Sequence, residues 1–266
     1  GFEAARQFFD QPQAEKDAVS IRNSDVMRGY TGLLEENTDP DNNGDLHEAF
    51  DASLDLSPDD PDSARGVYGW GVNLWPDIPG FREPVMAYHA ALRDLSEALY
   101  RGFALSLDLP EDHFAPLLTK PIAELRLLHY PPQDAQGDDK IIGIGAHSDY
   151  SVFTILASDD IPALQVLNPA GDWIAAPPLP DGFIVNVGDL MERWTNDLYR
   201  STVHRAINKT GRRRYSIPFF SNINPLETFE VLPSCITEDR PARYEPVGAA
   251  AYVEACMQDA YGLTES

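Results

Sequence analysis

The sequence predicts a mainly β protein with flanking helices, and three observations support this fold class. From residue 122 onward, short apolar or alternating runs of strand length follow one another, separated by turn-forming residues. Before them, residues 81–107 carry apolar side chains at helical spacing, and residues 246–262 show the same spacing near the end. Many short strands in succession are typical of a β-sandwich or barrel, and we expect the helices to cover one of its faces.

The predicted elements follow in order along the chain. A helical pattern opens it with Phe2, Ala5 and Phe8. Residues 28–80 are rich in Gly, Pro, Asp and Asn, which indicates long irregular surface segments with short elements. The long helix that follows ends before Pro110. The predicted strands are 124–130, 141–147, 151–156, 164–167, 183–187, 202–207 and 214–220.

Composition is that of an ordinary globular protein. The chain has 266 residues, 43% of them apolar, and no internal repeat, which favours one domain over residues 1–266. A formal net charge of −23 disfavours binding to nucleic acid or to anionic membranes. No apolar run is long enough to span a bilayer.

Two cysteines in a chain of this length are expected to be unpaired in a reducing cytoplasm. The segment 193–214 holds seven basic residues against one acidic residue, which indicates that an anion binds nearby.

His147, Asp149 and His204 are the candidate metal ligands. His147 and Asp149 end a predicted strand, and residues two apart in an extended chain point to the same side. His204 lies in the predicted strand 202–207. Two histidines and one carboxylate on neighbouring strands leave coordination positions open, which favours a non-haem Fe(II) oxygenase over structural zinc. Taken alone, the H-x-D pattern is more often a surface histidine beside a turn aspartate.

Arg214 and Ser216 provide a second signal shortly after His204. The turn at 209–211 is predicted to fold strand 202–207 back onto the next strand, which would place both residues beside the histidine. A guanidinium with a neighbouring hydroxyl suits a carboxylate ligand. An inward-facing arginine in an apolar strand needs an anion, which favours a bound ligand. The alternative interpretation of Arg214 is an ordinary ion pair at the edge of the sheet.

Several longer motifs occur in a fixed order. They are GYTGL, DLHEAFD, RLLHYPP, GAHSDYSVFTIL, LQVL, GDW, VNVGDLMERWTN, YRSTVHR and RRRYSIPFF. This ordered set, which covers nearly the whole chain, resembles the isopenicillin N synthase-like group of 2-oxoglutarate- and iron(II)-dependent dioxygenases. The resemblance implies a double-stranded β-helix (a distorted jelly roll) over residues 121–232. A helical flank with loops would precede it over residues 1–120, and the C-terminal helix 246–262 would follow.

The resemblance also implies roles for the candidate residues. The two histidines and the aspartate would be the catalytic centre that binds Fe(II). Arg214 and Ser216 would hold the distal carboxylate of the cosubstrate 2-oxoglutarate, and the Tyr130 hydroxyl would join them. Oxidative decarboxylation by dioxygen would be coupled to hydroxylation, desaturation or ring closure of a small-molecule substrate, with ascorbate as a stimulant. Phe153 and Phe220 lie on strands close to the metal candidates, so we expect both to line the substrate pocket.

The sequence departs from the family pattern in three places. A preceding segment with a strand and a G-F-F-x-V-x-x-H-G-like run is expected to be missing. Leu128 stands where many plant members have Asn, and Ser148 replaces the commoner Thr. Two alternatives stay open: an iron oxidase of the same fold that takes no 2-oxoglutarate, with Gln258 as a possible ligand, and a binding module without turnover. No obligate protein partner is indicated.

Overall fold

Two antiparallel β-sheets form the centre of the protein in a computed structural model, which describes residues 1–39, 43–133 and 142–260. The strands are β1 Gly29–Thr31, β2 Glu48–Ala52, β3 Ala123–Tyr130, β4 Ile144–His147, β5 Phe153–Ser158, β6 Leu164–Leu167, β7 Trp173–Ala175, β8 Ile184–Val187, β9 His204–Ala206, β10 Arg214–Ser221, β11 Thr228–Phe229 and β12 Val247–Gly248. The helices are α1 Phe2–Phe9, α2 Gln13–Asp17, α3 Arg82–Ser106, α4 Asp189–Trp194 and α5 Ala249–Ala260. Short 3-10 helices occupy Ile21–Asn23, Ser63–Arg65, Ala115–Leu118 and Pro233–Cys235.

The strand order is that of a double-stranded β-helix. The larger sheet has the order β1-β2-β3-β10-β5-β8, and the smaller has the order β4-β9-β6-β7. The chain crosses repeatedly between them, so that β3, β5, β8 and β10 lie in one sheet and β4, β6, β7 and β9 in the other. The predicted fold class is therefore confirmed, and these eight strands all lie within the predicted core, 121–232.

The segment predicted to be irregular, 28–80, contributes two strands to the larger sheet. β2 is buried along its whole length and pairs with both β1 and β3. Its acidic residues misled the prediction because they form buried ion pairs: Glu48 binds Lys16 and Asp51 binds Arg126. An acidic composition indicates exposure only when no internal cation is available.

The predicted hairpin between 202–207 and 214–220 is wrong. β9 pairs with β4 and β6 in the smaller sheet, whereas β10 pairs with β3 and β5 in the larger one. The turn at 209–211 therefore carries the chain from one sheet to the other. A turn signal reports a local change of direction, and it leaves the pairing partner to long-range contacts.

Helices cover the outer face of the larger sheet, as the sequence predicts. α3 begins after Pro79-Gly80, has Pro84 in its first turn, and buries a stripe at helical spacing against the sheet. Side chains alternate along each strand, so Leu125, Leu127, Ile155, Ile217 and Phe219 pack in the core shared with α1 and α3. The intervening residues of the same strands face the space between the two sheets.

The C-terminal helix is observed as α5, inside the predicted range 246–262, whose last two residues lie outside the described part of the chain. Within the described residues, no helix combines the length and apolar composition needed to cross a membrane.

Candidate active site

The three predicted metal ligands meet between the sheets. His147 and His204 are direct partners across β4 and β9, and Asp149 follows two residues after the end of β4. The Nε2 atoms of the two histidines lie 3.8 Å and 3.7 Å from Oδ1 of Asp149. One ligand atom from each residue lies within 4.8 Å of the other two, and in the described ranges this is the one His, Cys, Asp or Glu cluster of that kind.

Backbone carbonyls orient both imidazoles. Nδ1 of His147 lies 2.8 Å from the carbonyl oxygen of Gly145, and Nδ1 of His204 lies 3.0 Å from that of Thr202. A carbonyl oxygen only accepts, so each Nδ1 donates a hydrogen to it and each Nε2 faces the aspartate. Burial, together with the neighbouring His204, lowers the pKa of His147, which favours the neutral form that a metal requires.

Asp149 is held as an ionised ligand. Its Oδ2 accepts hydrogen bonds from Thr154 Oγ1 and Asn186 Nδ2, both at 2.6 Å, which leaves Oδ1 facing the imidazoles. Burial alone would raise the pKa of this carboxyl. The two histidines and the two hydrogen bonds outweigh burial, and the pKa lies below its usual value. Two imidazoles and one carboxylate on one side of the cavity fit Fe(II).

Sequence reasoning missed Thr154 and Asn186. Both are polar residues inside the apolar runs SVFTIL and FIVNV, and a buried polar residue in a strand needs a partner. The sequence therefore indicated that both residues have a hydrogen-bond partner, but only the structure shows that this partner is Asp149.

A buried cation faces the same cavity from the larger sheet. Arg214 is 2% exposed, and its guanidinium lies 3.3 Å from the hydroxyls of Ser216 and Ser158. The ring of Tyr130 lies 4.6 Å from the guanidinium carbon, and its hydroxyl lies 3.3 Å from that of Ser216. Nε of Arg214 has no hydrogen-bond partner, and no carboxylate in the described part of the chain pairs with this arginine. Such an environment fits an anionic ligand.

The cavity between these groups has a volume of about 130 Å³. Phe220 lines it, as predicted from the sequence. Phe153 lies on the opposite face of β5, fully buried against Tyr100 and Phe103, which corrects the expectation that it lines the pocket. Strand alternation is the reason, since its neighbour Thr154 takes the inward position.

Helix α5 closes one side of the cavity. Its lining residues Val253, Met257 and Ala260 are spaced as one helical face. Gln258 lies outside that face and does not line the cavity, so the structure does not support it as an iron ligand.

A charged network forms another part of the cavity wall, which sequence reasoning also missed. Arg126 donates two hydrogen bonds to Asp51 and two to Glu36. Glu36 also bonds to Nε2 of His47 at 2.8 Å. The partly buried Glu124 lines the cavity beside this network.

Comparison with known proteins decides the family. A family model of the 2OG-Fe(II) oxygenase superfamily matches residues 122–223, and one described as non-haem dioxygenase in morphine synthesis N-terminal matches residues 1–78. The 2-oxoglutarate-Fe(II) type oxidoreductase hxnY of Emericella nidulans is 37% identical over 274 residues, which cover 99% of this chain and 77% of that protein. The chain belongs to the 2OG-Fe(II) oxygenase superfamily.

Two further proteins, one compared by sequence and one by structure, are similar to this oxygenase over most of its length. Homoarginine-6-hydroxylase 2-ODD-233 of Oryza sativa subsp. japonica is 36% identical, over 84% of this chain and 68% of that protein. The crystal structure of a full-length Neurospora crassa protein in complex with alpha-KG and thymine superposes with a TM-score of 0.86 at 26% identity, covering 99% of this chain and 82% of that one. The protein is a 2-oxoglutarate-dependent oxygenase with Fe(II) as its metal, as the sequence resemblance implies.

Proposed function

We propose that this oxygenase binds Fe(II) through His147, Asp149 and His204. The distal carboxylate of 2-oxoglutarate binds Arg214 and Ser216 in the same cavity. One observation carries the proposal: a cluster of three metal-ligating atoms and a buried arginine that pairs with no carboxylate among the described residues line one cavity. A keto acid with two carboxylates suits both groups, because one end can join the metal while the other end reaches the arginine.

The residues act by binding and orientation. When bound, Fe(II) and 2-oxoglutarate would supply the oxidising chemistry with dioxygen as the oxidant: one oxygen atom would go into succinate as 2-oxoglutarate loses carbon dioxide, and the other would oxidise a substrate C–H bond. Arg214 presents a planar fork that donates to two carboxylate oxygens. The hydroxyls of Ser216 and Tyr130, 3.3 Å apart, donate to the same group. Residues of both sheets and of α5 line the cavity around the reacting atoms.

The substrate is a compact small molecule. Relatives named for homoarginine hydroxylation or crystallised with thymine support this class. The formal net charge of −23 argues against nucleic acid. The cytoplasmic location and the lack of an obligate protein partner stay predictions.

The test is succinate formation by purified protein loaded with Fe(II) and 2-oxoglutarate, with and without amino acids, pyrimidines, terpenoids and phenolics. We expect a substrate to stimulate it, and ascorbate to sustain it. His147→Ala and Asp149→Ala should abolish iron binding because each removes one of three ligands. His113→Ala is the matched control, since His113 is exposed and outside the cavity. Full iron binding in either ligand variant would disprove the assignment.

A further inference from the structure

One carboxyl group in the cavity wall, that of Glu124, has no partner among the residues that the structure describes. Glu124 lies on the inward face of β3 and lines the cavity. It makes no hydrogen bond or ion pair with another residue in the described part of the chain. A partly buried carboxyl group is stabilised by a cation or a hydrogen-bond donor, so its isolation calls for an explanation.

The neighbouring cations are already engaged. Arg126 uses two hydrogen bonds on Asp51 and two on Glu36. Arg28 donates to the carbonyl oxygens of Leu54, Gly71 and Gly69 and to the amide oxygen of Asn73. Both arginines lower the cost of a negative charge on Glu124 from a distance, and neither forms an ion pair with it. The donor that completes this site must therefore come from a molecule in the cavity.

Glu124 also lies at a useful distance from the metal ligands. Across the larger sheet, one row of register partners consists of Glu124 on β3, Phe220 on β10, Thr154 on β5 and Asn186 on β8. The last two hold Asp149. Two strand spacings separate the backbone of Glu124 from that of Thr154, about 10 Å. A molecule lying across Phe220 reaches both ends of this row.

We propose that Glu124 positions the substrate by binding a nitrogen-bearing donor group, an ammonium, a guanidinium or a heterocyclic N–H, while the carbon to be oxidised lies at the metal end of the row. This inference rests on the proposed function, because it names the substrate class of the same cavity. Phe220 lies between the two ends and supplies an apolar contact for the middle of the molecule.

The electrostatics of the wall agree with this geometry. Burial and the nearby Asp51 raise the pKa of Glu124 to about 7, while Arg126 and Arg28 oppose that rise. Glu36 and Asp51 add two carboxyl groups near Glu124, and both pair with Arg126. Burial and the charge of Glu124 raise the pKa of the nearby Tyr68 well above its usual value. A positively charged or N–H donor at Glu124 stabilises its ionised form, whereas an anionic group there meets three carboxyl groups.

The experiment measures binding without turnover. Wild-type protein, Glu124→Gln and Glu124→Ala are loaded anaerobically with Fe(II) and 2-oxoglutarate and titrated by calorimetry. The probes are three matched pairs: L-lysine and L-norleucine, L-arginine and L-citrulline, and thymine and 1,3-dimethylthymine. Glu97→Gln, an exposed residue on α3, is the control for removing one carboxylate. Circular dichroism verifies that each variant is folded. If Glu124→Ala is not folded, the isosteric Glu124→Gln variant still tests the proposal.

We expect at least one nitrogen donor to bind ten-fold or more tightly than its mate, and this preference to disappear in Glu124→Ala but not in Glu97→Gln. For a cationic probe Glu124→Gln should also lose the preference, whereas for a neutral N–H it should keep part of it, because the amide oxygen still accepts. The proposal is overturned if no nitrogen donor binds, if the members of every pair bind equally, or if the preference survives in Glu124→Ala. Succinate formation in air is measured separately: its complete absence in wild-type protein would refute the proposed function, independently of the binding preference.

Discussion

Replacing Arg214 with methionine tests the cosubstrate site most directly. The substitution removes the guanidinium and keeps an unbranched side chain of similar length. A charge-assisted hydrogen bond contributes about 1.5–3 kcal/mol, and a bidentate contact with the 2-oxoglutarate carboxylate has two of them. The loss of about 3–6 kcal/mol corresponds to a rise of roughly 10²- to 10⁴-fold in the KM for 2-oxoglutarate.

The free protein should respond differently to Arg214→Met. In the described structure its guanidinium has hydroxyl neighbours and the Tyr130 ring, and no carboxylate pairs with it. Replacing a buried unpaired charge with an apolar side chain of similar size is often neutral or stabilising. We therefore expect the free energy of unfolding without ligand to fall by no more than about 1 kcal/mol.

The assay follows succinate formation as a function of 2-oxoglutarate concentration, with urea unfolding of the ligand-free protein in parallel. Arg212→Met is the matched control, because Arg212 is exposed and pairs with Asp160 at 3.4 Å outside the cavity. An unchanged KM in Arg214→Met, or an equal rise in the control, would refute the assigned role. A large loss of stability would show that Arg214 serves the fold instead.

Three further outcomes are expected. Thr154→Val removes a hydrogen bond to Asp149 and should weaken Fe(II) binding about 10- to 100-fold; an anaerobic metal titration showing wild-type affinity would contradict this. Phe153→Ala should cost about 3–5 kcal/mol in urea unfolding because it empties a core position, whereas Phe220→Ala should mainly weaken substrate binding; weakened substrate binding without loss of stability in Phe153→Ala would restore the prediction made from sequence. Glu124 has a folded pKa of about 7 against a usual 4.5, so its contribution to stability is full below pH 4.5 and is lost as the pH rises through 7. Glu124→Gln should therefore gain stability relative to the wild type between pH 5 and pH 8, by up to about 3 kcal/mol, and equal differences in Tm at both pH values would count against the unpaired carboxyl.

The active centre is divided between the two sheets. The histidines come from β4 and β9 of the smaller sheet, while Arg214 and Tyr130 come from β10 and β3 of the larger one. In the proposed arrangement, different sheets would therefore hold the metal and the cosubstrate carboxylate. The separation between these layers, about 10 Å in packed sheets, is suited to a small dicarboxylate between them.

Local sequence signals located most of the strands. The predicted strands 124–130, 164–167 and 214–220 differ from β3, β6 and β10 by at most one residue at either end. They succeeded because apolar alternation and turn residues are local properties. β2 was missed because its acidic side chains are paired internally, and only the folded chain brings Lys16 and Arg126 to them.

The charged face of β3 shows the same limit for the site. Glu124 and Arg126 alternate with apolar residues, a pattern that a solvent-facing strand also has. In the structure that face is turned toward the cavity. Periodicity tells the two faces of a strand apart, but it does not say which of them meets water.

The sequence by itself determined the chemistry available to this protein: a histidine–aspartate–histidine set, an Arg-x-Ser pair ten residues later, and strands that carry both. The tertiary structure alone decided that β9, which carries His204, and β10, which carries Arg214, belong to different sheets, that Phe153 packs in the core, and that Glu124 faces the cavity with no partner among the described residues. The physical reason is that strand pairing and burial are set by contacts between residues far apart in the chain, whereas residue type and periodicity are set locally.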